Sequence, residues 1–203
     1  MKNENRFLIG MVIIFLSGCG KYNRGIGTDT NDYAIDAVKS ISKSSGAKND
    51  QGSYRQVSYE LNQERSLLMR LEDLLSREHS IAALDPSGVT IEVTLLSGEI
   101  NSLKLCPLTT PWMMLATWTQ AHPFGGEGKW RREGGDYNLS DCMSPVVGSK
   151  PNRAKFVITQ WFLDYPRARR ENAGWILISD KRVTISGDKS ATEYPRISYA
   201  KGF

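Results

Sequence analysis

The 203 residues hold only two histidines, His79 and His122, and three cysteines. No Cys-x-x-Cys spacing occurs, which argues against a thiol redox centre, a c-type haem attachment and a closed cysteine-based zinc site. Neither histidine has a nucleophile and an orienting partner at a readable spacing, so no acyl-transfer triad is visible. Gly134-Gly135-Asp136 lacks the preceding strand and the Lys-Ser/Thr pair of a phosphate-binding loop. Asp136 and Asp141, with Glu127 and Glu133 upstream, do not have the ligand spacing of a calcium loop. No metal ligand and no cofactor is assigned on these grounds. Long apolar runs are scarce too. The one present, Phe7 to Phe15, is far shorter than the roughly 20 residues of a membrane-spanning helix.

That run has a different meaning in its setting. Lys2 and Arg6 precede it, and small residues close it at Ser17-Gly18. A basic flank, a short apolar core and a small-residue exit predict a cleaved export signal. Leu16-Ser17-Gly18-Cys19 resembles the lipobox of bacterial lipoprotein precursors, a resemblance confined to the first twenty or so residues. It implies removal of residues 1–18 and a lipid-bearing Cys19 as the first mature residue. Several acyl chains, at about 0.8 kcal/mol per buried methylene, would hold a soluble body on a membrane. Gly20, in place of the Asp that retains such proteins at an inner membrane, implies an outer-membrane destination in a host with two membranes. The expected location is therefore the bacterial cell envelope, with membrane lipid as the first partner.

Without its first 18 residues the chain keeps 203 − 18 = 185, enough for one domain of ordinary size. The net charge of +4 becomes +3 once Lys2, Glu4 and Arg6 are gone. Mild basicity suits any anionic surface, and export makes nucleic acid a poor candidate partner. Oligomeric state is not readable. With Cys19 given to lipid, Cys106 and Cys142 remain for a disulfide in an oxidising compartment. In the chain-entropy view, a loop of about 37 residues closed this way stabilises the fold by about 4 kcal/mol.

The body is predicted to be mainly β, a disulfide-stapled sandwich preceded by a flexible tether and one amphipathic helix. Residues 19–55 are rich in Gly, Ser, Asn, Asp and Lys and read as the tether, with room for a short helix around Tyr33 to Ile41. Over 56–84, Leu61, Leu68, Leu71 and Leu75 approximate a helical stripe with charged residues on the other faces. From 85 to 203 the period shortens to two. Val89, Ile91, Val93 and Leu95 alternate with Thr90, Glu92 and Thr94. Further strands are expected over 103–108, 113–118, 155–163, 175–179, 182–186 and 196–200, without intervening helices. A hairpin centred near Ala168 would set Trp161 opposite Trp175.

Binding is easier to motivate than catalysis. Trp118, Trp161 and Trp175 sit in strand-like contexts and are expected in the core. Trp130 is flanked by Gly128-Lys129 and Arg131-Arg132, with Tyr137 further along the same glycine-rich loop, a setting that suits an exposed recognition surface or a self-anchored loop. Arg167, Arg169 and Arg170 would crowd the tip of the hairpin, where guanidinium groups grip carboxylates or phosphates. The expected function is a membrane-tethered envelope binding or interaction protein, contacting a glycan or a protein through Trp130, Tyr137, Arg167, Arg169 and Arg170. The alternatives are a hydrolase acting on an envelope polymer and a purely structural envelope lipoprotein.

Overall fold

The computed structural model describes residues 30–35, 37–45, 57–70, 89–122, 128–147, 150–159, 173–188 and 193–200. Eleven strands run through them: β1 Thr30–Ala34, β2 Ala37–Ser42, β3 Ser58–Leu61, β4 Arg65–Arg70, β5 Thr90–Ser97, β6 Leu103–Pro107, β7 Val146–Val147, β8 Arg153–Val157, β9 Trp175–Ser179, β10 Val183–Ser186 and β11 Arg196–Ala200. They form two packed sheets. In the first the order is β1-β11-β5-β10-β3, with β8 also on β5 and β7 on β8. In the second it is β2-β4-β9-β6. All pairings between these strands are antiparallel.

The chain changes sheet repeatedly at one end of the body. There the Asn62–Arg65 turn joins β3 to β4, Gly98–Ser102 joins β5 to β6, and Asp180–Arg182 joins β9 to β10. These crossovers bind one another. Asp180 N–H donates to Ser102 O, the Ser102 and Ser179 hydroxyls lie 2.9 Å apart, and Lys181 Nζ meets Glu99 at 2.7 Å. β1 and β2 form a bent strand that changes sheet at its middle, where Ile35 N–H donates to Pro195 O.

Alternation decides what each strand buries. Leu67 and Met69 of β4, Trp175 and Leu177 of β9, and Leu103 and Leu105 of β6 meet Ile91, Val93, Phe156, Val183, Ile185 and Ile197 of the first sheet. The opposite face of the second sheet is covered as well. Ala37, Ile41, Leu68, Cys106 and Ile176 pack under Leu108, Trp112, Ala116, Ala121 and Trp130 of the long 108–142 connection. That connection is a third layer, so β4 and β9 are apolar on both faces.

Two-sided burial explains the main departure from the sequence reading. The helix expected over 56–84 is replaced over residues 58–70 by β3 and β4, while 71–88 lie outside the described residues. A strand buried on both faces loses its period of two and reads as a continuous apolar run, and Leu67-Leu68-Met69 has that character. The tether reading of 19–55 also gives way where β1 and β2 lie, and the short helix around Tyr33 to Ile41 is not formed there. Their apolar residues are few, and they are held by pairing with β11 and β4, which are distant in sequence. The strand expected over 113–118 is a hydrogen-bonded turn region instead. The predicted hairpin between 155–163 and 175–179 is not formed either. β8 lies in the first sheet against β5 and β7, whereas β9 lies in the second between β4 and β6. Trp175 therefore faces Met69 and Pro107 across the ladder, and Trp161 lies outside the described residues.

Candidate functional site

The third layer is the candidate surface. It leaves β6 through Leu108, whose N–H donates to Gly174 O, and it folds back so that Leu108 and Tyr137 form a bridge. Cys106 and Cys142 are joined by a disulfide. Cys106 occupies the outer face of β6, at the end of a cross-strand row through Ile176 and Leu68 to Lys39. The bond thus pins the end of the connection onto the sheet that it covers. The predicted pairing is present, and its location shows what it staples: a loop layer against a sheet.

Tryptophans fasten the layer from within. Trp112 is buried, its indole N–H donates to Ala173 O at 3.0 Å, and its carbonyl accepts from Arg70. The Arg70 guanidinium stands 5.0 Å from the Trp112 ring centre, a cation–π distance. Trp130 corrects the expectation of an exposed aromatic. It is only 6% exposed, and its indole N–H donates to Thr117 O at 2.8 Å. The physical reason is its neighbourhood. Lys129 and Arg131 carry the charge outward while the intervening side chain turns inward over Ile176 and Leu68, as alternation allows. Trp118 is half-buried and packs its ring against Gly134, and the Trp118 carbonyl accepts the Gly134 N–H at 2.7 Å. The indole nitrogen of Trp118 and the hydroxyl of Thr117 are buried without hydrogen-bond partners among the described residues.

Asp136 organises the return of the loop. Its side chain is buried, with Oδ1 accepting the Arg132 N–H at 2.9 Å and Oδ2 accepting the Thr110 hydroxyl at 2.6 Å. Its backbone carbonyl takes the Thr109 N–H. Such a carboxylate, satisfied by fixed donors, sets the loop's shape and was not legible as a structural residue in the sequence. Tyr137 follows, half-buried, with the Arg132 guanidinium 5.8 Å from its ring centre. Among the described residues of the predicted recognition loop, this edge of Arg132 and Tyr137 stands at the surface, with exposed Lys129, Arg131 and Glu133 nearby in the chain. Arg167, Arg169 and Arg170 lie outside the described residues, as do Cys19 and the stretch predicted to be an export signal. His122 is half-buried in the third layer, and His79 falls outside the described residues. Among the described residues no three His, Cys, Asp or Glu side chains cluster as a metal site.

The chain matches no protein-family model and no curated protein. The functional reading therefore rests on the residues themselves. Met113 and Met114 were missed by sequence reasoning, which placed them on a strand. They are 44% and 45% exposed beside the buried Trp112.

Proposed function

We propose that the chain is a membrane-tethered envelope binding protein, anchored through Cys19, which presents the third layer to an envelope glycan or protein. The observation that carries this reading is the construction of that layer. The described residues between 108 and 142 form no long strand or helix, yet a disulfide, three packed tryptophans and the Asp136 carboxylate fix them on a sheet. A loop held this firmly positions surface side chains at little entropic cost on binding. Arg132 and Tyr137 supply a cationic and aromatic edge suited to sugar rings or carboxylates. Arg167, Arg169 and Arg170 of the β8–β9 connection remain part of the proposed contact set. Trp130 acts as the anchor of the loop.

Two measurements separate anchoring from recognition. Mass spectrometry of the membrane fraction should recover an N-terminal peptide carrying lipid at Cys19, and Cys19→Ser should abolish it. Binding to isolated envelope glycans and to captured envelope proteins should fall in an Arg132→Ala, Tyr137→Ala variant that retains its fold. A triple Arg167→Ala, Arg169→Ala, Arg170→Ala variant tests the other half of the set. Unchanged affinity in both folded variants for every partner found would overturn the recognition surface.

A further inference from the structure

Met113-Met114 is the pair of neighbouring exposed apolar residues among the described residues of the third layer, where exposed Leu139 stands alone, and it is not slack. Trp112 and Ala116 on either side are buried. Met113 N–H donates to Ala121 O at 3.1 Å, and Met113 O accepts the Ala116 N–H at 2.8 Å. Two flexible, polarisable side chains are thus held outward by a turn anchored through Trp112 to Arg70 and Ala173. Methionine suits a contact whose shape is not fixed, because its unbranched side chain adapts to an irregular partner.

The position of this turn narrows the partner. Arg70, Gly174 and Pro107 lie at the ends of β4, β9 and β6 remote from the sheet crossovers, so the turn occupies that remote end. Thr30 lies at the same end. It pairs with Ala200, and β11 runs on past the Ser198–Thr90 pair toward the start of β5. From Cys19 to Thr30 is 30 − 19 = 11 residues, a span of at most about 40 Å when fully extended. An anchor at Cys19 holds this end of the body within about 40 Å of the bilayer, a distance that lets the turn reach it. The layer also carries exposed Lys129 and Arg131, which make no ion pair among the described residues. Lys129 bridges Gln120, next to the Ala121 that holds Met113. Methionines beside unpaired cations match an anionic leaflet, with apolar tips entering the interface and cations meeting headgroups.

We infer that the 111–115 turn is a bilayer-contact element, with Met113 and Met114 entering the leaflet that holds the lipid anchor. This rests on the tethered reading proposed above. Two methionines bind a membrane weakly alone, but a short tether raises their effective concentration at its surface. The turn then sets the orientation of the body, leaving the crossover end as the outward face.

The test uses the full lipid-bearing chain in vesicles of phosphatidylethanolamine and phosphatidylglycerol. With Cys106 and Cys142 bonded and Cys19 acylated, a Met114→Cys substitution adds one free thiol for an environment-sensitive fluorophore. Gln63→Cys, exposed in the β3–β4 turn at the crossover end, is the comparison. The label at 114 should emit to the blue and be quenched several-fold more by brominated acyl chains than the label at 63. Replacing phosphatidylglycerol by phosphatidylcholine should weaken that quenching. Equal, water-like behaviour of both labels on a chain that co-sediments with vesicles would overturn the contact and leave the tether standing. A blue shift without bromine quenching would place the label against protein rather than lipid and would overturn it too. If the chain does not co-sediment, the tethered reading fails. The same label is then read with vesicles added in excess, and absence of quenching there overturns the contact independently.

Discussion

Asp136 is where a single atom pair does most to shape the third layer. Its two carboxylate oxygens each hold one donor, the Arg132 N–H and the Thr110 hydroxyl, inside a buried setting. Asp136→Ala would remove the acceptor of two part-buried donors, which water replaces only in part, at a cost of about 1–3 kcal/mol in total. A fall of that order in urea-derived stability is expected, with Asp136→Asn losing less. Gly174 sets a comparable backbone constraint. Its φ is +74°, and a Cβ there would lie 2.2 Å from Met69 O. Gly174→Ala should therefore destabilise by more than about 1 kcal/mol, because both conformation and space oppose it. Glu60 gives the pH dependence. The hydrogen bond from Arg182 at 2.7 Å, with further attraction from Arg182 and Arg65, holds its carboxyl below the ordinary value. A depressed folded value means the contribution is present above the unfolded carboxylate value and is lost as pH falls through the folded one. Acid titration of thermal stability should show Glu60→Gln losing part of its slope below the ordinary carboxylate value, and added salt should shrink the difference, since the pair is exposed.

At the scale of elements, the disulfide and β4 make opposite points about reading a sequence. The cysteines could be paired by counting, because two remain once Cys19 is set aside with the stretch that resembles a lipobox. Their pairing says nothing by itself about what is stapled; the packing of the outer sheet face does. Cys106→Ala with Cys142→Ala should cost about 2–5 kcal/mol, measured by chemical denaturation under non-reducing conditions. Exchange of amide hydrogens should rise most in 108–142 and least in β5 and β8, since the bond reaches only the second sheet and its cover. β4 was misread because helical and two-sided strand patterns overlap in a short apolar run. The alternating β5 was legible because its outer face carries Thr90, Glu92 and Thr94. Trp130 was misplaced for a related reason. Flanking charges signal an exposed segment, but a residue between two outward cations can point inward.

Across the whole molecule, burial is uneven in a way that orders local stability. β4 and β9 are the interior strands of the second sheet and are covered on both faces. Their amides should be the slowest to exchange, ahead of β1 and β7, which lie at the margins of the first sheet. Equal protection across all strands would show that the third layer adds no local stability. The sequence alone determined a mainly β body and the identity of the bonded cysteines, and its first twenty residues carry the lipoprotein resemblance. These follow from local features: alternation, residue counting, and a motif read along the chain. Tertiary structure decided the sheet partners of β1 to β4, the separation of β8 from β9, and the inward turn of Trp130. It also decided that Met113 and Met114 face out. Each depends on which distant segment covers a face, and the period of a short stretch carries no record of its cover.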